Sequence, residues 1–213
     1  KSLGNFVSRD VIREICDDYS RDVYRYVLLR LMSFGADGDF SHDALQGRYN
    51  TELVNGVGNL LSRTVKMIDK YFDGIVPAVE AEVSIAGPVI ESANALLAAA
   101  RPAMDACAFH TYLDGVMDLV DATNKFIEET EPFKLAKDES RRDELATILY
   151  TCAEAVRLIL LYLEPIMPDA SQKGLETLGW DRPGTALSEL TRWGLLEPGI
   201  TVEIRDPLFP RKR

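Results

Sequence analysis

Apolar residues recur at three- and four-residue steps through most of this chain, and that periodicity limits the fold more than any other feature. The longest such segment is predicted to begin at a Ser41 cap and to end near Tyr71, before Gly74 and Pro77. Its apolar positions are Leu45, Tyr49, Leu53, Val57, Leu60, Leu61, Val65 and Ile68. One apolar stripe of this kind is typical of a helix that buries one face against other helices.

The same pattern predicts helices on both sides of the long segment. Two short ones, capped by Ser8 and Ser20, precede it as a small lead-in layer. Longer ones follow over about residues 88–103, 109–129, 141–163 and 168–178. Short connections between long amphipathic helices favour antiparallel neighbours. We therefore expect an all-α fold, an antiparallel helix bundle with a short helical lead-in layer.

From Trp180 onward, glycines and prolines interrupt any helical pattern, and only residues 200–204 are compatible with a short strand. This segment still contains several large apolar side chains: Trp193, Leu195, Leu196, Leu208 and Phe209. A free end would not carry so many, so we expect an extended tail that packs back on the protein. The predicted divisions are a lead-in region over 1–33, a helical bundle over 34–180 and the tail over 181–213.

Charge and composition exclude several classes of function. The 213 residues carry a formal charge of −10, which argues against indiscriminate nucleic-acid binding, so any RNA contact must be local. We see no signal peptide and no apolar run approaching the roughly 20 residues that span a bilayer, so we expect a cytoplasmic protein with no membrane partner. The three cysteines are far apart among apolar neighbours, and we expect reduced core residues and no structural metal.

No complete catalytic set is apparent. Neither His42 nor His110 follows a Glu by three residues, which excludes the ligand pattern of carboxylate-bridged di-iron bundles. A Ser-His-Asp or Cys-His set and a Gly-rich phosphate loop are equally hard to assemble from this sequence. We therefore expect no complete active site in this chain.

One face of the long helix carries polar and basic residues at offsets of 0, 4, 7 and 11: Asn59, Arg63, Lys66 and Lys70. At about 100° per residue, all four lie within roughly 60° of one another. An Asn can pair with a base edge, an Arg with a base or a phosphate, and lysines with a backbone. The alternative is a solvated helix face, which is the better explanation for such a stripe taken alone.

A second candidate is the turn Glu131-Pro132-Phe133-Lys134-Leu135-Ala136-Lys137, which follows a predicted helix end. The proline fixes the turn, so Phe133 could stack on an unpaired base while Lys134 and Lys137 lie near phosphates. The alternative is a hydrophobic plug that closes the bundle, and the residues alone favour neither.

Several motifs of this sequence, taken together, match one known enzyme family. The opening Lys1-Ser2-Leu3-Gly4-Asn5 is similar to the second half of the K-M-S-K-S loop of class I enzymes. The further matching runs, in the order of the family, are 34–41, 48–50, 59–63, 131–137, 193–195 and 207–210. Together these runs resemble the methionyl-tRNA synthetase family of class I aminoacyl-tRNA synthetases. The resemblance covers essentially the whole chain and implies a fragment, from the end of that loop through a helical anticodon-binding domain.

The resemblance also implies roles for individual residues. Lys1 matches the second Lys of the loop and Ser2 its final Ser, which would contact ATP in the full enzyme. Asn59 and Arg63 match anticodon-reading positions. Pro132-Phe133 matches a Pro-Trp pair that stacks on anticodon bases, and the smaller Phe implies weaker stacking.

The implied function is recognition of the methionine tRNA, with its C-A-U anticodon, within an enzyme that joins methionine to tRNA using ATP. Magnesium with ATP, and zinc, would belong to the full-length enzyme, whose main catalytic domain is missing, so the fragment alone is expected to be inactive. Two alternatives are another class I synthetase, such as one for cysteine, and a helical protein-interaction scaffold.

Overall fold

The structure, a computed structural model, describes residues 8–35, 40–79 and 86–212, and in these ranges it is an all-α bundle as predicted. In chain order its helices are α1 (Arg9–Asp18), α2 (Arg21–Leu31), α3 (His42–Arg48), a π-helical segment (Tyr49–Gly58), α4 (Asn59–Phe72), α5 (Gly87–Asp105), α6 (Phe109–Thr130), α7 (Pro132–Leu135), a short 3-10 helix (Glu139–Arg141), α8 (Arg142–Leu163), α9 (Pro168–Thr177) and α10 (Leu187–Leu190).

Local cap chemistry sets the predicted helix starts. The hydroxyls of Ser8, Ser20 and Ser41 each accept a hydrogen bond from the backbone N–H three residues later, at 3.1 to 3.3 Å. Helix α6 ends where Glu131 adopts a left-handed conformation (φ 44°) before Pro132. These starts and this stop confirm the sequence expectation.

Helix α8 is the centre of the bundle and packs against α4, α5, α6, α7 and α9. Every residue from Leu145 to Leu163 is buried. In the described part of the chain, Glu139–Leu163 is also the one helical stretch long and apolar enough to cross a membrane. The sequence predicts this helix over about 141–163, but we expected no apolar run of that length. The apolar part of this stretch is entirely buried inside the bundle, as expected for a core helix.

A buried ion pair on α8 holds the tail. The side chains of Glu154 and Arg157 are both fully buried and lie 2.6 Å apart. Arg157 also donates to the carbonyls of Leu190 and Arg192, and Glu154 accepts from the backbone N–H groups of 194–196 at 2.6 to 3.1 Å. Because both charges are paired and hydrogen-bonded, this burial is tolerated and ties the tail to the core.

The tail packs back on the protein as expected, with one exception. Leu196 and Phe209 are buried, and Trp193 and Leu208 are partly buried against the core. Leu195, predicted to join them, is 41% exposed because it lies on the outer side of the segment held by Glu154.

The strand predicted over 200–204 is wrong: the described residues hold only an isolated antiparallel bridge between Ile75 and Thr201. The backbone N–H groups of this segment bond to two other parts of the chain, neither of which is a strand. Val202 donates to the carbonyl of Gly74, while Glu203 donates to the carbonyl of Thr177 at the end of α9.

The long helix predicted from Ser41 to Tyr71 is interrupted by the π-helical segment. Its buried ladder runs in unbroken four-residue steps: Leu45, Tyr49, Leu53, Val57, Leu61 and Val65. In a straight α-helix each such step rotates by about 40°, so the ladder would wind around the helix. A π-type hydrogen bond closes over one more residue, which lets four-residue steps stay on the buried side.

A carboxylate network fixes the inner side of the π-helical segment. Glu52 is buried and accepts hydrogen bonds from Tyr26 (2.6 Å), Arg30 (3.2 Å) and Arg48 (2.5 Å). Burial alone would raise the pKa of Glu52, but these hydrogen bonds and the two guanidinium charges outweigh it and hold the pKa below its ordinary 4.5. The network therefore joins α2 to the segment that leads directly into α4.

Candidate nucleic-acid interface

The polar residues predicted on the long helix all lie within α4, after the π-helical segment has ended, so their α-helical spacing holds. We call Asn59, Arg63, Lys66 and Lys70 the α4 stripe. The opposite face of α4 is buried through Leu60, Leu61, Thr64, Val65 and Ile68. Consequently Asn59, Lys66 and Lys70 are exposed, and Arg63 is partly exposed.

The cations of the α4 stripe form no ion pair with a carboxylate in the part of the chain that the structure describes. Among the described residues, no carboxylate oxygen lies within 4.0 Å of the charged nitrogens of Arg63, Lys66 or Lys70. The ammonium group of Lys70 lies 5.2 Å from the centre of the Tyr71 ring. A phosphate could therefore approach these cations without displacing an ion pair.

Two different elements border the α4 stripe. Burial raises the pKa of the Cys152 thiol on α8 to about 12, and the nearby charge of Arg63 acts in the opposite direction. Lys66 lines a shallow cleft with Ser62 and with the tail residues Ile204, Arg205 and Asp206. The stripe thus lies on an open face between the bundle core and the returning tail.

The turn after α6 separates the two members of the predicted Pro-Phe pair. Pro132 is buried as the first residue of α7, whereas Phe133 is 48% exposed. Leu135 takes the inward position of this short helix, at 5% exposure. This arrangement argues against Phe133 as a core plug. Because Pro132 is buried, it could take part in binding only by orienting Phe133.

The two lysines of this turn differ in their surroundings. Lys134 forms an ion pair with Glu131 at 2.6 Å, with both side chains largely exposed. Lys137 is exposed after the end of α7. A phosphate contact by Lys134 would require it to exchange an existing partner, at small cost because exposed pairs contribute little.

One end of the stripe and the turn lie toward the same end of the bundle. Helix α7 packs on α8, and the guanidinium of Arg142, at the start of α8, lies 4.8 Å from the centre of the Phe72 ring at the end of α4. From there α4 extends about 20 Å back to Asn59, at about 1.5 Å per residue. The candidate surface is therefore elongated, with an aromatic near one end and Asn59 at the other.

Sequence reasoning missed one exposed residue beside this surface and one buried residue that supports it. Arg142 adds an exposed cation beside the Phe72 ring, and its only sequence signal is a basic residue at the start of a core helix. Glu52 supports the base of α4, and its signal is an acid within an apolar ladder, four residues after Arg48. Lys1 and Ser2, the predicted ATP contacts, lie outside the described residues.

Comparisons with known proteins agree with the fold and the motifs. Residues 1–65 match the family model described as tRNA synthetases class I (M). The chain is 44% identical over 211 residues to a methionine-tRNA ligase of Caldanaerobacter subterraneus subsp. tengcongensis, and 40% identical over 212 residues to that of Halalkalibacterium halodurans. Each alignment covers 99% of this chain and 32% of the relative.

Solved structures give the same result. The apo form of Mycobacterium tuberculosis methionyl-tRNA synthetase matches with a TM-score of 0.87 at 32% identity, over 94% of this chain and 40% of that one. The same enzyme bound by methionyl-adenylate matches with a TM-score of 0.88 at 32% identity, over 99% and 41%. The chain thus spans about a third of the length of its curated relatives. These matches favour the methionine family over a cysteine-specific synthetase or an unrelated scaffold. The chain belongs to the methionyl-tRNA synthetase family and corresponds to a C-terminal part of its members.

Proposed function

We propose that this chain is the anticodon-recognition part of a methionine-tRNA ligase, an enzyme that activates methionine with ATP and transfers it to tRNA. Its partner is the methionine tRNA with a C-A-U anticodon. The observation that best supports this role is the outward-facing α4 stripe, whose cations form no ion pair among the described residues, on a chain of net charge −10. A local basic face on an acidic protein suits selective recognition of an RNA loop.

Each part of the candidate surface has a distinct role in this proposal. Asn59 and Arg63 contact base edges, because an amide and a guanidinium offer paired donors or acceptors. Phe133 stacks on an unpaired base. Four lysines attract the phosphate backbone: Lys66, Lys70, Lys134 and Lys137.

The remaining regions serve the larger enzyme. Residues 1–33 link the bundle to the catalytic domain and contact the tRNA stem, 34–180 form the anticodon-binding domain, and 181–213 return toward the catalytic domain. Lys1 and Ser2 contact ATP, and the sites for methionine, ATP with magnesium, and zinc lie in the catalytic domain. A relative solved with methionyl-adenylate supports these substrates. The enzyme acts in the cytoplasm, and this chain alone is inactive.

Binding to RNA hairpins tests the proposal. One hairpin carries C-A-U in its loop, and a second differs by one anticodon base. The chain should bind the first more tightly, and Asn59→Ala or Arg63→Ala should cost about 1–3 kcal/mol and reduce the preference. Arg101→Ala is a matched control, because Arg101 is a highly exposed arginine on α5. Equal binding of both hairpins by the unsubstituted chain would show that the proposed function is wrong.

A further inference from the structure

We propose that the end of the tail positions Asn59 and Arg63 by holding residues 49–58 in the π-helical conformation. This makes Phe209 and Tyr49 positioning residues for anticodon recognition, although neither belongs to the candidate RNA surface. The consequence for RNA rests on the proposed function. The contact between the tail and the π-helical segment stands without it.

The end of the tail, residues 209–211, meets the π-helical segment at several points along its length. The Tyr49 hydroxyl donates to the carbonyl of Pro210 at 2.6 Å, and the rings of Tyr49 and Phe209 meet edge to face with centroids 6.4 Å apart. Arg211 donates to the side-chain oxygen of Asn55 at 3.0 Å. These contacts span most of the segment from its first residue onward.

At the other end of the segment, Phe209 fills the space beside Gly58. A Cβ atom at Gly58 would lie 3.3 Å from Cδ2 of Phe209 and 3.0 Å from the carbonyl oxygen of Leu53. Phe209 itself is only 5% exposed. Gly58 is the last residue of the π-helical segment, and Asn59, the first residue of the α4 stripe, follows it directly.

A π-helical segment of ten residues needs support from outside, because π-type hydrogen bonding is rare and usually limited to a single turn. The competing conformation for the same residues is an α-helix, which would change the rotation of everything that follows. Glu52 and its partners hold the inner side of the segment. Residues 209–211 hold it from the tail side, so the two sets of contacts together fix the direction in which Asn59 and Arg63 point.

This arrangement predicts a specific defect when the tail contact is weakened. Rotation of the start of α4 would misplace Asn59 and Arg63, which read bases, while Lys66 and Lys70 would remain on the surface as point charges. Discrimination between anticodons should therefore fall much more than overall attraction to RNA. If the tail only stabilised the fold, weakening its contact would change neither the anticodon preference nor the salt dependence of RNA binding by the folded chain.

The test compares four variants at a temperature where all remain folded: Phe209→Ala, Phe209→Leu, Tyr49→Phe and Leu195→Ala. Phe209→Ala removes the ring beside Gly58, and Tyr49→Phe keeps the core ring but removes the hydrogen bond to Pro210. Leu195→Ala is the matched control in an exposed part of the tail. The readouts are the ratio of the Kd for the altered hairpin to the Kd for the C-A-U hairpin, the salt slope, and amide hydrogen exchange over residues 49–63.

Phe209→Ala should lower the Kd ratio by about tenfold, the size of one lost base-edge contact, with an unchanged salt slope and faster exchange over 49–63. Tyr49→Phe should have a smaller effect in the same direction, Phe209→Leu should restore part of the ratio, and Leu195→Ala should match the unsubstituted chain. An unchanged ratio in folded Phe209→Ala overturns the inference. If the unsubstituted chain itself does not discriminate, the proposed function fails, and exchange over 49–63 alone decides: faster exchange in Phe209→Ala supports the inference and unchanged exchange overturns it.

Discussion

Removing the side chain of Phe133 separates its proposed binding role from a structural one. Phe133 is 48% exposed, so Phe133→Ala gives up only about half of the burial of a core phenylalanine. Full burial of such a side chain contributes about 1.5–3 kcal/mol, and the loss in free energy of unfolding should therefore be about 1 kcal/mol. The loss in binding free energy for the C-A-U hairpin should be about 1–3 kcal/mol, because a stacked base is lost.

Urea unfolding and hairpin binding, measured on the same preparations, give the two quantities. Phe126→Ala is the buried control: its ring is 2% exposed, and its loss should cost about 3–5 kcal/mol of folding. Phe34→Ala is the exposed control, at 72%, and should affect neither quantity strongly. Phe133→Trp should bind at least as well as the unsubstituted chain. A Phe133→Ala variant that unfolds as easily as Phe126→Ala yet binds RNA normally would refute the stacking role.

Three further outcomes are expected. Replacing Lys66 and Lys70 together by Ala should reduce the magnitude of the salt slope for hairpin binding by about 1.4, since each single-strand phosphate contact contributes about 0.7; an unchanged slope would mean that neither lysine contacts RNA. Glu154→Gln should lower the free energy of unfolding by about 3–5 kcal/mol, because Arg157 would stay buried without a counter-charge; urea midpoints would show it, with Glu189→Gln on the exposed side of α10 as control. Because the pKa of Glu52 is lower in the folded chain than its ordinary 4.5, its contribution to stability is present above that pH and is lost as the pH falls through the folded pKa. Glu52→Gln should therefore flatten the acid side of the stability profile, and an unchanged profile would contradict the network.

The parts of the fold that were predicted correctly depend on neighbours in sequence. Ser8, Ser20 and Ser41 cap helices through their own hydroxyls, and the stop before Pro132 is a local backbone restriction. The α4 stripe was predictable for the same reason, because helical spacing alone places its members on one face. None of these features requires knowledge of a distant partner.

The π-helical segment and the tail contacts were not predictable in this way. Any short window of the four-residue ladder fits an α-helix, and only its full length from Leu45 to Val65 shows the accumulated rotation. The groups that stabilise the segment lie far away, such as Pro210, 161 positions from Tyr49. In the sequence, Glu154 and Arg157 are two charged residues within an apolar helical segment, and only the tail backbone explains their burial.

The exposure of Phe133 also required the structure. A Pro-Phe turn can direct either its aromatic or the following leucine into the core, and the sequence does not choose between them. The short helix α7 decides this by turning Leu135 inward and Phe133 outward.

Aminoacylation by the full-length ligase that we propose contains this chain tests the central claim most directly. The kcat/KM values are compared for methionine tRNA and for the same tRNA with one altered anticodon base, in the unsubstituted enzyme and in Asn59→Ala and Arg63→Ala. We predict a loss of about 1–3 kcal/mol in kcat/KM for the C-A-U tRNA and a reduced preference over the altered tRNA in both variants. Unchanged kcat/KM and unchanged preference in both variants would contradict anticodon reading by α4.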